Sequence, residues 1–195
     1  MTRLVGVTGG IGSGKTLVCN ILNKLGVPVY NADREARRLM EEDSELAGQI
    51  SRLLGERAYR DGKLDRSYVS EQVFGNAELL RSLNKLVHPA VRRDFTDWAS
   101  RQEDAGYVVE EAAILFESGA HRFLDRTVLV LAPDKVRIKR VMERDGVDEA
   151  SVRKRMTHQM DEDRKKEMAD HLIYNSGEEM LLPQVVDLHE KLLNS

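Results

Sequence analysis

Three groups of side chains in this sequence stand at spacings that suit phosphoryl chemistry. The first lies in GVTGGIGSGKT, residues 6–16, where Gly9, Gly14, Lys15 and Thr16 fit the pattern GxxxxGK(S/T). Glycines let such a loop turn its N–H groups onto phosphate oxygens. Gly10, Ile11, Gly12, Ser13, Gly14, Lys15, Thr16 and Leu17 are therefore the candidate ATP-binding positions. Lys15 would reach the β- and γ-phosphates, which makes it a catalytic candidate, and Thr16 would offer its hydroxyl directly to Mg²⁺. A tight turn that binds nothing is the alternative, and the strand before the motif and the helix after it argue against that.

The second is Asp33, just after the apolar VPVYN of residues 27–31. An acceptor hydroxyl in line with the γ-phosphate needs a carboxylate to take its proton, and open α/β sheets gather ligands at such strand ends. The competing reading is a helix N-cap, because Asp is a preferred cap. The third is a cationic run. Between residues 135 and 166 stand 11 Lys or Arg against 7 Asp or Glu, in a chain whose net charge is −3. Arg137, Arg140 and Arg144 lie three and four apart, on one helical face, where a guanidinium can stabilise charge on a transferring phosphoryl group. Arg140 is the catalytic candidate and Arg144 an ATP-binding one; a solvated helix face is the plain alternative.

These residues need elements to position them. RLVGVT (3–8) reads as a buried strand, GKTLVCNILNKLG (14–26) as a helix stopped by Gly26, and VPVYN (27–31) as a second strand. The right-handed crossover of such a βαβ unit puts both strand ends on one sheet edge. From Arg34 to about Gln102 the pattern is helical with no strand, broken at Gly55, at RDGK (60–63), at Gly75 and at His88-Pro89. YVVEEAAILF (107–116), TVLVLAP (127–133) and HLIYN (171–175) resume the strand signal, and a last helix follows from Glu178. The fold class is α/β, a parallel sheet interrupted after its second strand by a helical insertion. Residues 1–33 and 105–195 form the nucleotide-binding core, with a lid at about 134–168, and residues 34–104 form the insertion.

Composition narrows the function. At 41% hydrophobic and 32% charged residues, 195 residues bury a core, and neither disorder nor a fibre is indicated. No apolar run approaches the roughly 20 residues that span a bilayer, so no membrane is expected. The single Cys19 excludes an internal disulfide and a Cys-based zinc cage, consistent with a reducing, cytoplasmic setting; on its helix it reads as a small core residue. With 5% aromatics and no basic tail, no nucleic-acid partner is expected. Asn23-Lys24 and Asn84-Lys85 lack the aspartate of a guanine-reading NKxD, and the third strand ends in Glu110 and Glu111 where motor ATPases carry Asp. A small-molecule kinase leads, ahead of a nucleotide switch.

GVTGGIGSGKT, VPVYNADREAR, LDRSYVSEQVF, LNKLVHPAVR, ILFESG and then RDG, Gln159 and ADHLIYNSG, in this order over nearly the whole chain, resemble the dephospho-CoA kinases. The resemblance implies a P-loop kinase with a five-stranded parallel sheet flanked by helices, a helical domain for the CoA precursor and a mobile lid. It implies ATP and dephospho-CoA as substrates, phosphorylation of the ribose 3′-hydroxyl, and no obligatory protein partner. The family's DADxxxR falls on Asn31, Ala32, Asp33 and Arg37, keeping the proposed base but replacing the first acid by an amide. Its DxPLLFE falls on Glu111 to Glu117, without the proline and with the longer acid first. Glu111 is then the candidate to orient a Mg²⁺-bound water, against a strand-end charge. Arg37 and His88 are acceptor-binding candidates, against a surface pair and a capping or packing histidine. Asn175 is placed to reach adenine, against a simple turn. His158 and His171 read as packing or surface residues. A kinase for another nucleotide-like acceptor would use the same loop, Asp33 and lid.

Overall fold

The structure, a computed structural model, describes residues 2–194. Strands β1 (Arg3–Thr8), β2 (Val29–Asn31), β5 (Tyr107–Glu111), β6 (Arg126–Leu131) and β7 (His171–Tyr174) form one sheet. Its order is β2-β5-β1-β6-β7, and every pairing in it is parallel. The carboxyl ends of all five strands thus share one edge. β1, β5 and β6 are near-continuous apolar runs because a parallel sheet covered by helices buries both faces.

Helix α1 (Lys15–Lys24) returns from β1, and α9 (Leu181–Asn194) closes the chain on the same face. Val18, Cys19 and Leu22 of α1 and Val185, Leu188 and Leu192 of α9 bury against Val5, Val7, Val109, Val128, Val130 and Ile173 of the sheet. The i, i+4 spacing of Val18 and Leu22 builds this stripe. Cys19 is part of it, and burial pushes its thiol far above the ordinary value. Helices α6 (Asp134–Asp145), α7 (Glu149–Met156) and α8 (Glu162–Met168) lie between β6 and β7 in the chain.

The chain divides into two compact units: the sheet with its helices, through Asn31 and from Ala99 onward, and residues Ala32–Trp98. The second unit holds α2 (Ala32–Glu42), α3 (Ser44–Leu54), α4 (Arg66–Val73) and most of α5 (Ala77–Ser100). It departs from the sequence reading twice. Residues expected to contain no strand include an antiparallel hairpin, β3 (Tyr59–Arg60) and β4 (Lys63–Leu64), joined at Asp61-Gly62. Both turn residues have positive φ, 51° and 75°, the backbone that a two-residue hairpin turn requires and that Asp-Gly supplies. Pro89 does not end its helix either: α5, 24 residues long, continues past it to Ser100. Leu83, Val87, Ala90, Val91 and Phe95 are buried at helical spacing on both sides of the proline, and this continuous stripe outweighs the one hydrogen bond that proline cannot donate.

The third core strand is also shorter than its apolar run. It stops at Glu111, and residues 112–119 form turns, closed by hydrogen bonds such as Ser118 N to Ile114 O at 3.0 Å. Leu115 and Phe116 are nonetheless buried, so their apolarity serves the core from a turn. Leu22 is fully buried in the α1 stripe, and Leu22→Ala should cost about 2–5 kcal/mol of stability. Urea unfolding of the purified variant reads this as a lower midpoint at unchanged slope.

Candidate nucleotide-binding site

The phosphate loop follows the central strand β1. Gly12 and Gly14 adopt φ of 79° and 96°, a left-handed backbone that only glycine takes without strain. Each also has a neighbour where a side chain would be. A Cβ on Gly12 would lie 2.5 Å from the Arg137 carbonyl oxygen, and one on Gly14 would collide with the Asn175 amide nitrogen. Lys15 opens α1, and its ammonium donates to the Gly9 carbonyl at 2.9 Å.

The next residue faces the end of β5. Thr16 Oγ1 donates to Glu111 Oε1 at 2.6 Å, and Asn31 Nδ2 donates to Glu111 Oε2 at 2.8 Å. The sheet register makes this possible, since Glu111 is paired with Val7 of β1 on one side and Asn31 of β2 on the other. Glu111 is buried at 6% exposure, so its two hydrogen bonds replace water that a carboxylate would otherwise lose. Two of the departures from the family pattern, amide at 31 and longer acid at 111, fall on one contact. An aspartate at 31 would set two carboxylates against each other there; the amide donates instead. Among the described residues, no group of three or more His, Cys, Asp and Glu is placed to hold a metal ion. The Thr16 hydroxyl and Glu111 carboxylate are hard oxygen donors. They fit Mg²⁺ of the kind held by one or two protein oxygens together with substrate phosphates.

The segment expected as a lid separates its three arginines. Arg137 is buried: Nε donates to the Ile11 carbonyl at 3.0 Å, and Nη1 to Asp134 and Glu162 at 3.1 Å each. Arg140 Nη2 donates to Asn175 Oδ1 at 3.4 Å, while its Nη1 is buried with no hydrogen-bond partner among the described residues. A Cβ on Gly14 would lie 3.9 Å from that Nη1, which places the unpartnered donor beside the loop. Arg144 turns outward, forming an ion pair with Asp145 at 2.7 Å that raises its pKa. The three arginines share one helical face but differ in their partners, because a face spanning two turns meets different neighbours along its length.

Asn175 is engaged with the loop itself. Its amide, expected to reach adenine, is buried and donates to the Ser13 carbonyl at 2.8 Å while accepting from Arg140. It braces the loop. Three loop amides are also engaged within the chain: Ile11 N–H donates to Gln159 Oε1 at 2.9 Å, Ser13 N–H to Gly10 O at 3.0 Å, and Leu17 N–H to Gly14 O at 3.0 Å. Gly10 packs against the Arg137 guanidinium.

Gln159 is a contributor that the sequence left without a role. Gln159 meets a residue 148 positions away, and no local pattern announces such a contact. Nor was Lys165 foreseen. At 2% exposure it forms an ion pair with Glu117 at 2.8 Å, and the Met160 N–H donates to the same oxygen at 2.9 Å.

In the second unit, Asp33 is the second residue of α2, inside its first turn rather than at the flanking cap position. It is exposed, as is Arg37 one turn later. Arg38 is the structural arginine of that helix, with Glu35, Glu42 and Asp94 around it at 2.6, 3.2 and 2.8 Å. Arg37 has no ion-pair partner among the described residues. His88 is half-buried in α5, and burial holds its imidazole below the ordinary value, so it is neutral at neutral pH.

A glycine loop leading from the central strand of a parallel sheet into a helix, with its lysine and threonine at the strands' carboxyl edge, places this chain among the P-loop kinases. A family model described as dephospho-CoA kinase matches residues 3–180. A dephospho-CoA kinase of Salinibacter ruber is 46% identical over 180 residues, covering 91% of this chain and 90% of that protein. Among solved structures, a Thermus thermophilus protein superposes with a TM-score of 0.87 at 36% identity, covering 97% of each chain. A dephospho-CoA kinase from Campylobacter jejuni gives 0.72 at 25% identity, covering 100% of this chain and 98% of its own. The chain belongs to the dephospho-CoA kinase family, transferases that catalyse the final, ATP-dependent step of coenzyme A biosynthesis.

The Glu117–Lys165 pair yields a prediction with a definite sign. Burial pushes the Glu117 carboxyl up, but the hydrogen bonds from Lys165 and Met160 outweigh it and hold the group below its ordinary value of 4.5. With the folded value below the unfolded one, the pair's stabilisation is fully present above about pH 4.5 and is lost as pH falls through the lowered value. Glu117→Gln should flatten that part of the acid limb. At neutral pH it should cost about 3 kcal/mol, because Lys165 is left buried without its counter-charge. Urea unfolding at neutral and acid pH measures both effects.

Proposed function

We propose that this chain transfers the γ-phosphoryl group of ATP to the ribose 3′-hydroxyl of dephospho-CoA with Asp33 as the general base. Asp33 takes the hydroxyl proton as the new O–P bond forms and the β,γ-bridging O–P bond breaks, and ADP leaves carrying the released electron pair. The observation that carries the donor half is the Thr16–Glu111–Asn31 cluster beside the Lys15 loop, a pinned set of oxygens at the end of β5. Thr16 and Glu111 would hold Mg²⁺, Thr16 directly and Glu111 through water; when bound, the ion neutralises charge on the β- and γ-phosphates.

Lys15 and the amides of Gly12, Gly14, Lys15 and Thr16 bind the phosphates, and the buried Arg140 Nη1 supplies a donor for charge that grows on the transferred group. Arg37, exposed and without an ion-pair partner, binds the acceptor's phosphates. His88, neutral, contributes at most a hydrogen bond to the acceptor. The helical unit of residues 32–98 receives the acceptor, and residues 134–168 act as the lid. A single buried cysteine and the absence, among the described residues, of any helix long and apolar enough to cross a membrane support a cytoplasmic setting.

Release of ADP from ATP and Mg²⁺ should be fast with dephospho-CoA and near the blank with nucleosides, nucleoside monophosphates or no acceptor. A rate with dephospho-CoA no higher than the blank would sink the reading. Asp33→Asn should lower kcat by about 100-fold or more while ATP affinity holds, as general-base loss requires. Arg37→Ala should raise the acceptor KM by about tenfold or more, the worth of a charge-assisted hydrogen bond, and leave the KM for ATP unchanged.

A further inference from the structure

Ile11, at the tip of the phosphate loop, is held from three directions by the segment that follows β6. Its N–H donates to Gln159 Oε1 at 2.9 Å, and its carbonyl accepts from Arg137 Nε at 3.0 Å. Its side chain packs on a small core of Ile138, Val141 and Val152 contributed by α6 and α7. A loop residue that faced phosphate would present its N–H to the anion; this one presents it to a glutamine.

The other partners of that glutamine's segment are fixed as well. Gln159 lies in the turn between α7 and α8, and the N–H of the next residue, Met160, donates to Glu117 Oε1 at 2.9 Å. Glu117 is itself anchored by Lys165 of α8 at 2.8 Å. Arg137 is pinned by Asp134 and by Glu162 of α8, at 3.1 Å each. The side chain of Gln159 therefore projects from a tethered backbone, which is what lets a single side-chain oxygen impose a position on the loop.

We propose that Gln159 is a positioning residue for phosphoryl transfer: by taking the Ile11 N–H it presets the phosphate loop in the shape that receives the nucleotide. The inference rests on the reading of this loop as the ATP site. Without the acceptor oxygen, the Ile11 N–H must find water or another partner, and the loop samples shapes in which the amides of Gly12 and of residues 14–16 no longer converge. Nucleotide binding then has to restore the shape, so the loss falls on ATP affinity. Once ATP is bound the loop is formed, and the chemical step is spared.

Gln159→Met keeps the length of the side chain and removes the acceptor; Gln159→Ala removes both. Calorimetry with ATP and Mg²⁺, steady-state kinetics with dephospho-CoA and thermal unfolding are measured on wild type and both variants. Both variants should raise the Kd and the KM for ATP about five- to tenfold, the worth of one lost hydrogen bond. The kcat should stay within about twofold and the acceptor KM should not change. The unfolding midpoint should drop by no more than about 2–4 °C. If Gln159→Met binds ATP like wild type, the acceptor oxygen does no positioning and the inference is overturned. A fall in kcat at unchanged ATP affinity overturns it too, as does a larger drop in midpoint with ATP affinity retained, which would mark a purely structural role. A wild-type protein that binds no ATP would overturn the reading of the loop, and this inference with it.

Discussion

The donor half of this kinase depends on one carboxylate. Glu111 ends β5, and its two oxygens take hydrogen bonds from Thr16 on the loop helix and Asn31 at the end of β2. Three separate segments are thereby fixed at one corner of the sheet. The backbone ladder sets where they meet, because Glu111 stands level with Val7 and with Asn31. The carboxylate sets how they meet: buried, it cannot leave either donor without losing a partner it has no water to replace. The helical unit, which carries Asp33, begins at Ala32, the residue after Asn31.

The glycines of the phosphate loop permit its shape but do not alone determine it. Positive φ at Gly12 and Gly14 is a permission, because glycine adopts many other backbone angles as readily. Selection comes from side chains distant in sequence. Asn175, after β7, holds the Ser13 carbonyl, Gln159 the Ile11 amide and Arg137 the Ile11 carbonyl. The missing Cβ atoms at Gly12 and Gly14 are what allow Arg137 and Asn175 to approach so closely. The loop and its surroundings are thus complementary, each glycine making room for a group that removes part of the freedom it brings.

Patterns that depend on neighbours in sequence were legible. The loop motif, the five core strands and the stop at Gly26 follow from local composition and periodicity, and the parallel sheet places them as expected. Elements decided by tertiary contact were not. Asp61-Gly62 was readable as a turn, but two flanking residues on each side are too few to signal strands. Pro89 is a genuine breaker locally, and only the buried stripe from Leu83 to Phe95 carries the helix past it. At the site, the place of Lys15 and Thr16 on the loop was legible from the motif and Glu111 was singled out by the family resemblance, whereas Gln159 and Lys165 have their partners 148 and 48 residues away in the chain.

The arginines after β6 show why charge counting could not go further. An excess of cations predicts that phosphate is handled nearby, but it does not say which cation faces it. Arg137 is the most buried of the three, at 6% exposure, and its donors face a backbone carbonyl and two carboxylates; a guanidinium so engaged is a structural cross-link. Arg144, outermost, is neutralised by Asp145 in a contact that solvent weakens. Arg140 lies between them, tied by one nitrogen to Asn175 with the other buried and unpartnered next to Gly14. Burying a donor without an acceptor costs free energy in the unliganded protein, and an anion at the loop recovers it. Of three residues with the same chemistry on one helix, the one proposed here to face phosphate is therefore distinguished by what its neighbours leave unsatisfied.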